Sequence, residues 1–192
     1  MYITFDDGPI PEITPWVLET LKKFNAKATF FCVGDNVNKN PTVFQQVLAD
    51  GHAIGNHTFS HINGWNSDNI PYFHDVRHCA KLVKSTLFRP PYGRLTPKQT
   101  QFLTRHYDIV MWDVLSGDFD QNISKEDCLR NVISAAKRGS IIVFHDSLKA
   151  AERMMYALPR VLEYFAAKGY RFEHLKEVMS SPMMQPLVSA RA

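Results

Sequence analysis

Apolar segments that resemble β-strands alternate with segments of helical periodicity along this chain of 192 residues. The clearest strand is the continuous apolar run SIIVFH at 140–145. The clearest helix follows Ser124-x-x-Asp127, a capping-box pattern that marks a helix start. A continuous apolar run is typical of a strand that is buried on both faces. The alternation therefore predicts an α/β fold with a parallel sheet covered by helices.

The periodicity places each element on the chain. The predicted strands are MYITF (1–5), KATFFCV (27–33), HAIG (52–55), TLFR (86–89), YDIVMW (107–112), SIIVFH (140–145) and YRFEHL (170–175). Helices are predicted at 11–25, 41–51, 70–84, 96–106, 124–139 and 158–168. Pro159 is expected in the first turn of the last helix, or at a kink if that helix begins earlier. An open doubly wound sheet and a (β/α) barrel both fit, and both place an active site at the carboxyl ends of the strands.

Composition excludes several classes of protein. The length suits one domain, so residues 1–192 are interpreted as a single domain, expected to be a monomer. The net charge is +3 with no run of Lys or Arg, which argues against a nucleic-acid partner. No apolar run is long enough to span a membrane, and no signal peptide is visible, although a leader could have been removed. Cys32, Cys79 and Cys128 lie far apart and are expected to be partly buried free thiols.

Polar clusters follow four of the predicted strands. They are Asp6-Asp7-Gly8, residues 57–61, residues 89–93 and His145-Asp146. Because the carboxyl ends of parallel strands share one edge of the sheet, these clusters are expected to meet there. Each also has a plainer interpretation, as a turn or as a core histidine.

Two histidine pairs have a spacing of four residues. On a helix that spacing puts both imidazoles on one face, where they can bind one metal ion. The pair His74 and His78 falls beside the expected apolar stripe of helix 70–84 and is interpreted as part of a solvated face. That stripe consists of Ile70, Phe73, Val76, Ala80 and Val83. The pair His57 and His61 instead lies among short polar residues after a predicted strand.

A catalytic site of the zinc type needs a third protein ligand and an open position for water. Asp6 and Asp7 offer carboxylates at a strand end. Neighbouring side chains of a strand face opposite ways, so these two are expected to divide the work between metal and water. Arg89 could pair with a buried carboxylate and keep it ionised, and His145 is a candidate proton donor.

Taken in order, four motifs resemble those of the polysaccharide deacetylase family, which is carbohydrate esterase family four and is also called the NodB homology domain. They are TFDDG (4–8), HTFSH (57–61), RPPYG (89–93) and IIVFHD (141–146). The resemblance runs from residue 3 to about 175, and ATFFCVG (28–34) is similar to the family's second strand. It implies a distorted (β/α) barrel of about seven parallel strands and metal-dependent removal of N-acetyl groups from N-acetylglucosamine-type sugars.

The resemblance also implies a cofactor and its ligands. Asp7, His57 and His61 would bind one divalent metal ion. Zinc is the first expectation for imidazole and carboxylate ligands, and cobalt, nickel or iron would suit them too. The expected partner is a polysaccharide such as peptidoglycan or a chitin-like polymer, which would place the protein in the cell envelope or outside the cell.

The catalytic roles come from the same resemblance. Asp6 would be the general base, held by Arg89, and His145 the general acid. The backbone N–H of Tyr92 would help to hold the oxyanion. Two other hypotheses stay open, namely a non-catalytic carbohydrate-binding domain and an amidohydrolase for a small cyclic amide.

The chain departs from the family pattern at its fourth motif. The family reads Asp-x-x-Asp-Trp, whereas this chain has Leu115-Ser-Gly-Asp118-Phe119. The resemblance assigns the first Asp to orienting the acid histidine, so Leu115 leaves that task to Asp113, Asp118 or Asp146. Val143 stands where the family has Leu in the pocket for the acetyl methyl group.

Overall fold

The sheet of the computed structural model, which describes residues 1–175, has seven strands. In chain order they are β1 (Tyr2–Asp7), β2 (Ala28–Cys32), β3 (Ala53–Asn56), β4 (Leu87–Phe88), β5 (Asp108–Ile109), β6 (Val114–Leu115) and β7 (Ile141–His145). Their order across the sheet is β5-β4-β3-β2-β1-β7-β6, and every pairing is parallel. All carboxyl ends therefore lie at one edge, as the alternation predicts.

Helices connect the strands and cover the outer face of the sheet. They are α1 (Thr14–Lys23), α2 (Gly34–Lys39), α3 (Pro41–Ala49), α4 (Asn69–Ala80), α5 (Pro97–Leu103), α6 (Lys125–Ala135) and α7 (Ala151–Ala167). Pro41 begins α3 as predicted, and the capping box of α6 forms, since Asp127 N donates to Ser124 Oγ over 3.0 Å. No helix within the described part of the chain is long and apolar enough to cross a membrane. Cys32, Cys79 and Cys128 are buried free thiols.

The two faces of the sheet have different interiors. On the helix-covered face Phe5 stacks on Phe30 and Phe144, with ring centroids 5.0 and 6.1 Å apart, inside the main core. On the other face Phe31 of β2 shares a small cluster with Leu87 of β4, against which residues of β1 and β7 also pack. Strands that are not neighbours thus meet over one interior, because the sheet curls into a distorted, incompletely closed (β/α) barrel.

The register of β1 and β7 positions the site. Asp6 lies opposite His145 on β7, and Asp6 also lies opposite Phe31 on β2. Because side chains alternate along a strand, Phe5 and Phe144 face the helices while Asp6 and His145 face the concave side. The two candidate catalytic residues are therefore register neighbours.

Two helix predictions were wrong in detail. The last helix begins at Ala151, so Pro159 lies in its interior and not in its first turn. Buried residues lie on both sides of that proline, and their packing outweighs the loss of one helical hydrogen bond. On α4 the buried residues are Tyr72, Val76 and Cys79, whereas Ile70 is 71% exposed. The predicted apolar stripe was therefore wrong at Ile70, which lies exposed in the first turn of α4.

The strand prediction at 170–175 was also wrong. This segment has no strand, and its two buried residues, Phe172 and Leu175, lie three positions apart and do not follow the alternation of a strand. Its backbone bonds to the starts of two strands: Lys27 N donates to Phe172 O over 3.0 Å, and Glu173 N donates to Met1 O over 3.1 Å. The segment crosses the amino ends of β1 and β2, so it cannot run alongside a neighbour as a ladder. The sequence also gave no sign of α2 or of the two-residue β6.

Candidate active site

The polar clusters predicted at strand ends lie together in one cleft of about 510 Å³. Asp6 and Asp7 end β1, the segment 57–61 follows β3, and His145 ends β7. Tyr92 reaches the cleft wall from the short turn after β4. Proximity of the carboxyl ends explains why residues so distant in sequence converge.

Asp7, His57 and His61 form the cluster that can hold a metal ion. One ligand atom of each lies within 4.8 Å of the other two, and no other such group occurs among residues 1–175. His57 Nε2 lies 3.9 Å and His61 Nε2 lies 3.2 Å from Asp7 Oδ1. Atoms bound to one ion at about 2 Å lie up to about 4 Å apart, so these separations suit a shared ion.

The hydrogen bonds of the triad leave the right atoms free for a metal. His57 Nδ1 lies 2.7 Å from the carbonyl oxygen of Arg89. A carbonyl only accepts, so Nδ1 donates and the lone pair of neutral His57 is on Nε2, facing Asp7. Asp7 Oδ1 is buried and makes no hydrogen bond among the described residues, although His61 Nε2 lies 3.2 Å away. An orphaned buried carboxylate oxygen beside two imidazoles fits a divalent cation.

The electrostatics of the triad favour the states in which these residues bind metal. Burial lowers the pKa of His57, which keeps its imidazole neutral. Burial alone would raise the pKa of Asp7, but the nearby His61, His145 and His57 outweigh it and hold that pKa well below its usual range. The carboxylate is thus ionised and the imidazole of His57 unprotonated near neutral pH.

The backbone at His57 and His61 is not helical. The spacing of four residues suggested a metal-binding pair on one face of a helix, and that expectation was wrong. Residues 57–61 form a loop in which Thr58 and His61 have φ values of 64° and 57°. The left-handed turn, and not a helix face, brings the two rings within 5.1 Å of each other. Asp75 on α4 fixes this loop by accepting hydrogen bonds from the backbone N–H groups of Phe59 and Ser60 over 2.7 and 3.0 Å.

The expected opposite orientation of Asp6 and Asp7 does not hold. Asp6 Oδ2 lies 4.0 Å and Asp7 Oδ1 lies 3.9 Å from the same atom, His57 Nε2. Asp7 has a φ of 86°, which breaks the alternation at the end of β1 and turns its carboxylate toward the cleft. The two carboxylates nevertheless differ in their partners.

Asp6 is paired with Arg89. Arg89 Nη1 donates to Asp6 Oδ1 over 2.8 Å and to Thr4 Oγ1 over 2.7 Å. Arg89 is fully buried and also donates from Nε to Val110 O over 3.1 Å, so its guanidinium is held in place. Burial lowers the pKa of Arg89, and Asp6 opposes that shift. A guanidinium stays charged even so.

His145 is paired with Asp118. Of the three aspartates considered for orienting this histidine in place of Leu115, Asp118 is the one that contacts it. His145 Nδ1 donates to Asp118 Oδ1, and the His145 backbone N–H donates to Asp118 Oδ2, both over 2.7 Å. Leu115 contributes an apolar side chain to the cleft wall and no hydrogen bond to His145. Burial would lower the pKa of His145, but Asp118 outweighs it and raises that pKa to about 9.

The other two candidates for that task lie elsewhere. Asp113 accepts from Ser140 Oγ over 2.7 Å and from the Ile141 N–H, at the amino end of β7. Asp146 accepts from the Gly8 N–H over 2.9 Å and from Thr14 Oγ1 over 2.6 Å, and burial raises its pKa to about 7. Gly8 is required there, because a Cβ would lie 1.9 Å from the Asp146 carboxylate. Asp146 therefore holds the turn that follows Asp7.

The remaining cleft residues shape its walls. Tyr92 has a φ of 60° beside Gly93 at 67°, and its ring meets that of His61 edge-on with centroids 4.8 Å apart. Val143 and Leu115, which are register neighbours on β7 and β6, give the cleft lining an apolar patch. Sequence reasoning missed Asp75 altogether, since nothing in an amphipathic helix singles out one acidic residue on its surface.

Comparison with known proteins places the chain in a family. Residues 1–111 match the family model described as polysaccharide deacetylase. A Bacillus cereus peptidoglycan-N-acetylglucosamine deacetylase is 37% identical over 186 residues, which cover 92% of this chain and 86% of the relative. The chain belongs to the polysaccharide deacetylase family. Its membership confirms the barrel type and the resemblance that the four motifs carry.

Other members of the polysaccharide deacetylase family support the same assignment. A chitooligosaccharide deacetylase of Azorhizobium caulinodans is 32% identical over 197 residues, covering 91% of this chain and 92% of the relative. The crystal structure of the Bc1960 peptidoglycan N-acetylglucosamine deacetylase superposes with a TM-score of 0.86 at 31% identity, covering 92% and 86% of the two chains. A family 4 carbohydrate esterase from Streptomyces lividans, in complex with acetate, gives a TM-score of 0.82 at 25% identity, covering 96% and 94%.

Proposed function

We propose that this chain removes the N-acetyl groups of N-acetylglucosamine-type residues in an amino-sugar polymer by metal-dependent hydrolysis and releases acetate. One observation carries the proposal: the Asp7, His57 and His61 triad lies beside a carboxylate paired with a buried cation and a histidine paired with a buried anion. A pure binding module has no need of both pairs. We further propose that residues 1–192 act as one catalytic domain and as a monomer.

Asp7, His57 and His61 would hold one divalent ion through a carboxylate oxygen and two Nε2 atoms. When bound, the ion supplies Lewis acidity, which polarises the acetyl carbonyl and makes a water acidic enough to lose a proton near pH 7. Zinc is the proposed metal, and cobalt, nickel and iron suit the same donors. The triad leaves the cleft side of the site open for water and substrate.

Two side chains would move the protons. Asp6 takes the proton of the attacking water on the oxygen that lies 4.0 Å from His57 Nε2. His145 gives a proton from Nε2 to the departing sugar amine, because its Nδ1 is engaged by Asp118. The Tyr92 backbone N–H donates to the oxyanion of the tetrahedral intermediate, a contribution typically worth about 3 kcal/mol. Val143 and Leu115 exclude water around the acetyl methyl group.

Acetate release from N-acetylglucosamine oligomers tests this function. The protein is stripped with a chelator, reloaded with one equivalent of zinc, and assayed beside the Asp6→Asn variant. The proposal expects acetate only from the reloaded wild-type protein. Bound zinc without hydrolysis of any amide would instead support a carbohydrate-binding module. Hydrolysis of small cyclic amides alone would support the amidohydrolase.

A further inference from the structure

One buried cation on the proton-donor side of the cleft is not used by the proposed mechanism. Arg153 lies in the first turn of α7, and only 8% of this residue is exposed. The ion pairs found within residues 1–175 do not include Arg153. A buried charge that lacks an ion-pair partner is costly, so its hydrogen bonds must account for its place in the fold.

The guanidinium of Arg153 binds two loops that border the cleft. Nε donates to the Asp118 carbonyl oxygen over 2.8 Å, and Nη2 donates to the Lys149 carbonyl oxygen over 3.2 Å. Asp118 lies in the loop between β6 and α6, and Lys149 lies in the loop between β7 and α7. Phe119, which follows Asp118, and Lys149 both line the cleft. Arg153 therefore ties together two loops that form one side of the cleft.

Arg153 binds the main chain of Asp118 and leaves its carboxylate to His145. Asp118 uses Oδ1 for the ring Nδ1 of His145 and Oδ2 for the backbone N–H of that histidine, both over 2.7 Å. An arginine bound to the carboxylate would compete with His145 for those oxygens, because guanidinium and carboxylate form strong bidentate pairs. The bond to the carbonyl instead fixes the position of Asp118 without taking either oxygen from the histidine.

The loop that carries Asp118 leaves the sheet before it reaches that residue. Ser116 N donates to β7 over 3.1 Å, and Gly117 then adopts a left-handed conformation with a φ of 77°. From α6, Asn131 Nδ2 donates to the Ser116 carbonyl oxygen over 3.0 Å. Helix α6 thus holds the start of the turn through Asn131, and helix α7 holds Asp118 itself through Arg153.

We propose that Arg153 is a positioning residue for proton donation, which holds the main chain of Asp118 so that the His145 ring is directed at the departing amine. The inference rests on the proposed function, in which His145 gives its Nε2 proton to the amine nitrogen as the C–N bond breaks. Without the bond from Arg153 the loop shifts, and the ring turns with the carboxylate that holds it. A displacement of about 1 Å at a reacting group can cost about a hundredfold in rate.

Two acetyl substrates separate proton donation from the other functions of the site. An N-acetylglucosamine oligomer loses an amine, which must be protonated to leave. p-Nitrophenyl acetate loses p-nitrophenolate, which leaves as a stable anion and needs no proton from His145. The attack by water on the acetyl carbon is common to both substrates. A defect confined to the oligomer therefore reports on the proton donor.

The variants change the donors of Arg153 in steps. Arg153→Met removes both hydrogen bonds, and Arg153→Lys keeps the charge and can donate to one carbonyl. Arg160→Met is the matched control, because Arg160 is exposed on the same helix and donates to the Tyr156 carbonyl oxygen over 2.8 Å. Each protein is loaded with zinc, and its zinc content and circular dichroism are recorded beside kcat and KM.

Arg153→Met should lower kcat on the oligomer about tenfold to hundredfold and change KM by less than about twofold. Its kcat on p-nitrophenyl acetate should stay within about twofold of the wild type, because that reaction needs no proton donor. Arg153→Lys should recover part of the lost kcat, and Arg160→Met should match the wild type on both substrates. Added to His145→Gln, Arg153→Met should cause no further loss on the oligomer, because the residue through which it acts is already absent.

Equal losses on the two substrates, or no loss on the oligomer, would overturn the inference, and so would a further loss in the His145→Gln background. If Arg153→Met does not fold, Arg153→Lys decides: a loss confined to the oligomer supports the inference, and wild-type rates on both substrates contradict it. In each of these cases the wild type still releases acetate from the oligomer, so the proposed function stands. Absence of acetate from the oligomer with the wild type instead overturns the proposed function, and this inference with it.

Discussion

The two proton-transfer sides of the cleft have the same construction with opposite charges. On one side Asp6 is held by Arg89, and on the other His145 is held by Asp118, at 2.8 and 2.7 Å. Arg89 and Asp118 are both fully buried. In each pair the buried partner is bonded to further groups, so the reacting side chain has little freedom to turn away.

The sign of the buried partner decides the role of each reacting group. Arg89 places a fixed positive charge beside Asp6, whereas the carboxylate of Asp118 raises the pKa of His145 to about 9 and so favours an imidazolium ready to donate a proton. Two side chains that are register neighbours on β1 and β7 thereby take opposite roles. In both pairs, the charged partner of the reacting side chain comes from a residue that is distant in sequence.

Loss of either reacting group should have the largest effect. Asp6→Asn and His145→Gln should each lower kcat about 10²- to 10⁴-fold, because each removes one proton-transfer step. Acetate release under saturating substrate measures this, with zinc content recorded for each variant. Asp108→Asn and His106→Gln, both exposed and outside the cleft, are the controls. A decrease in kcat of less than tenfold for one of the two variants would show that this residue does not transfer a proton in the reaction.

Loss of the cationic partner should have the next largest effect. Arg89→Gln should reduce the free energy of unfolding by about 3–5 kcal/mol, because it leaves the buried carboxylate of Asp6 without compensation. Urea denaturation measures this, with exposed Arg77→Gln as control. The double variant Asp6→Asn/Arg89→Gln should lose less than the sum of the two single variants. Strict additivity would show that the two side chains do not act as a pair.

Loss of the anionic partner should change the pH dependence. Asp118 raises the pKa of His145 from 6.5 to about 9, so His145 stays protonated until the pH rises through about 9. The stability that this pair contributes is complete below pH 6.5 and is lost as the pH rises through that higher value. Asp118→Asn should therefore move the alkaline limb of the kcat profile to lower pH. An unmoved limb would assign the orientation of His145 to another group.

Substitution of Leu115 should have the smallest effect. Leu115 lines the cleft and makes no bond to His145, so Leu115→Ala should leave the alkaline limb in place. A rise in KM of no more than about tenfold is expected, since a partly exposed apolar contact is lost. The same pH series that is used for Asp118→Asn measures this. A limb that moves with Leu115→Ala would mean that Leu115, and not Asp118, controls His145.

The sequence predicted those parts of the molecule that depend on short-range pattern. The apolar runs at 140–145 and 28–32 form strands, and the carboxyl end of the first carries His145 and is followed by Asp146. The sequence could not show which aspartate pairs with His145. Asp118 lies in a loop that is positioned by a contact distant in sequence, since Arg153 Nε on α7 donates to the Asp118 carbonyl oxygen over 2.8 Å. The strand prediction at 170–175 was wrong because apolar and polar residues alternate from Tyr170 to Glu173, and that alternation does not show whether a neighbouring strand is available for pairing.

The sequence also did not predict the backbone conformation of the proposed metal-binding cluster. Positive φ values at Asp7, Thr58 and His61 turn the three ligands toward one another. None of these residues is a glycine, so their residue types do not indicate a left-handed backbone conformation. The four-residue spacing pointed to His57 and His61, and both do line the cleft. The helical geometry assumed for that spacing was wrong, because residues 57–61 form a loop.

Metal retention in two matched histidine variants tests the central claim, that Asp7, His57 and His61 hold one divalent ion. Both His57 and His74 have a second histidine four residues on, but His74 lies exposed on α4. After zinc loading and desalting, plasma mass spectrometry should find one equivalent of zinc in the wild type and in His74→Ala, and essentially none in His57→Ala. Equal zinc in both variants would contradict the account.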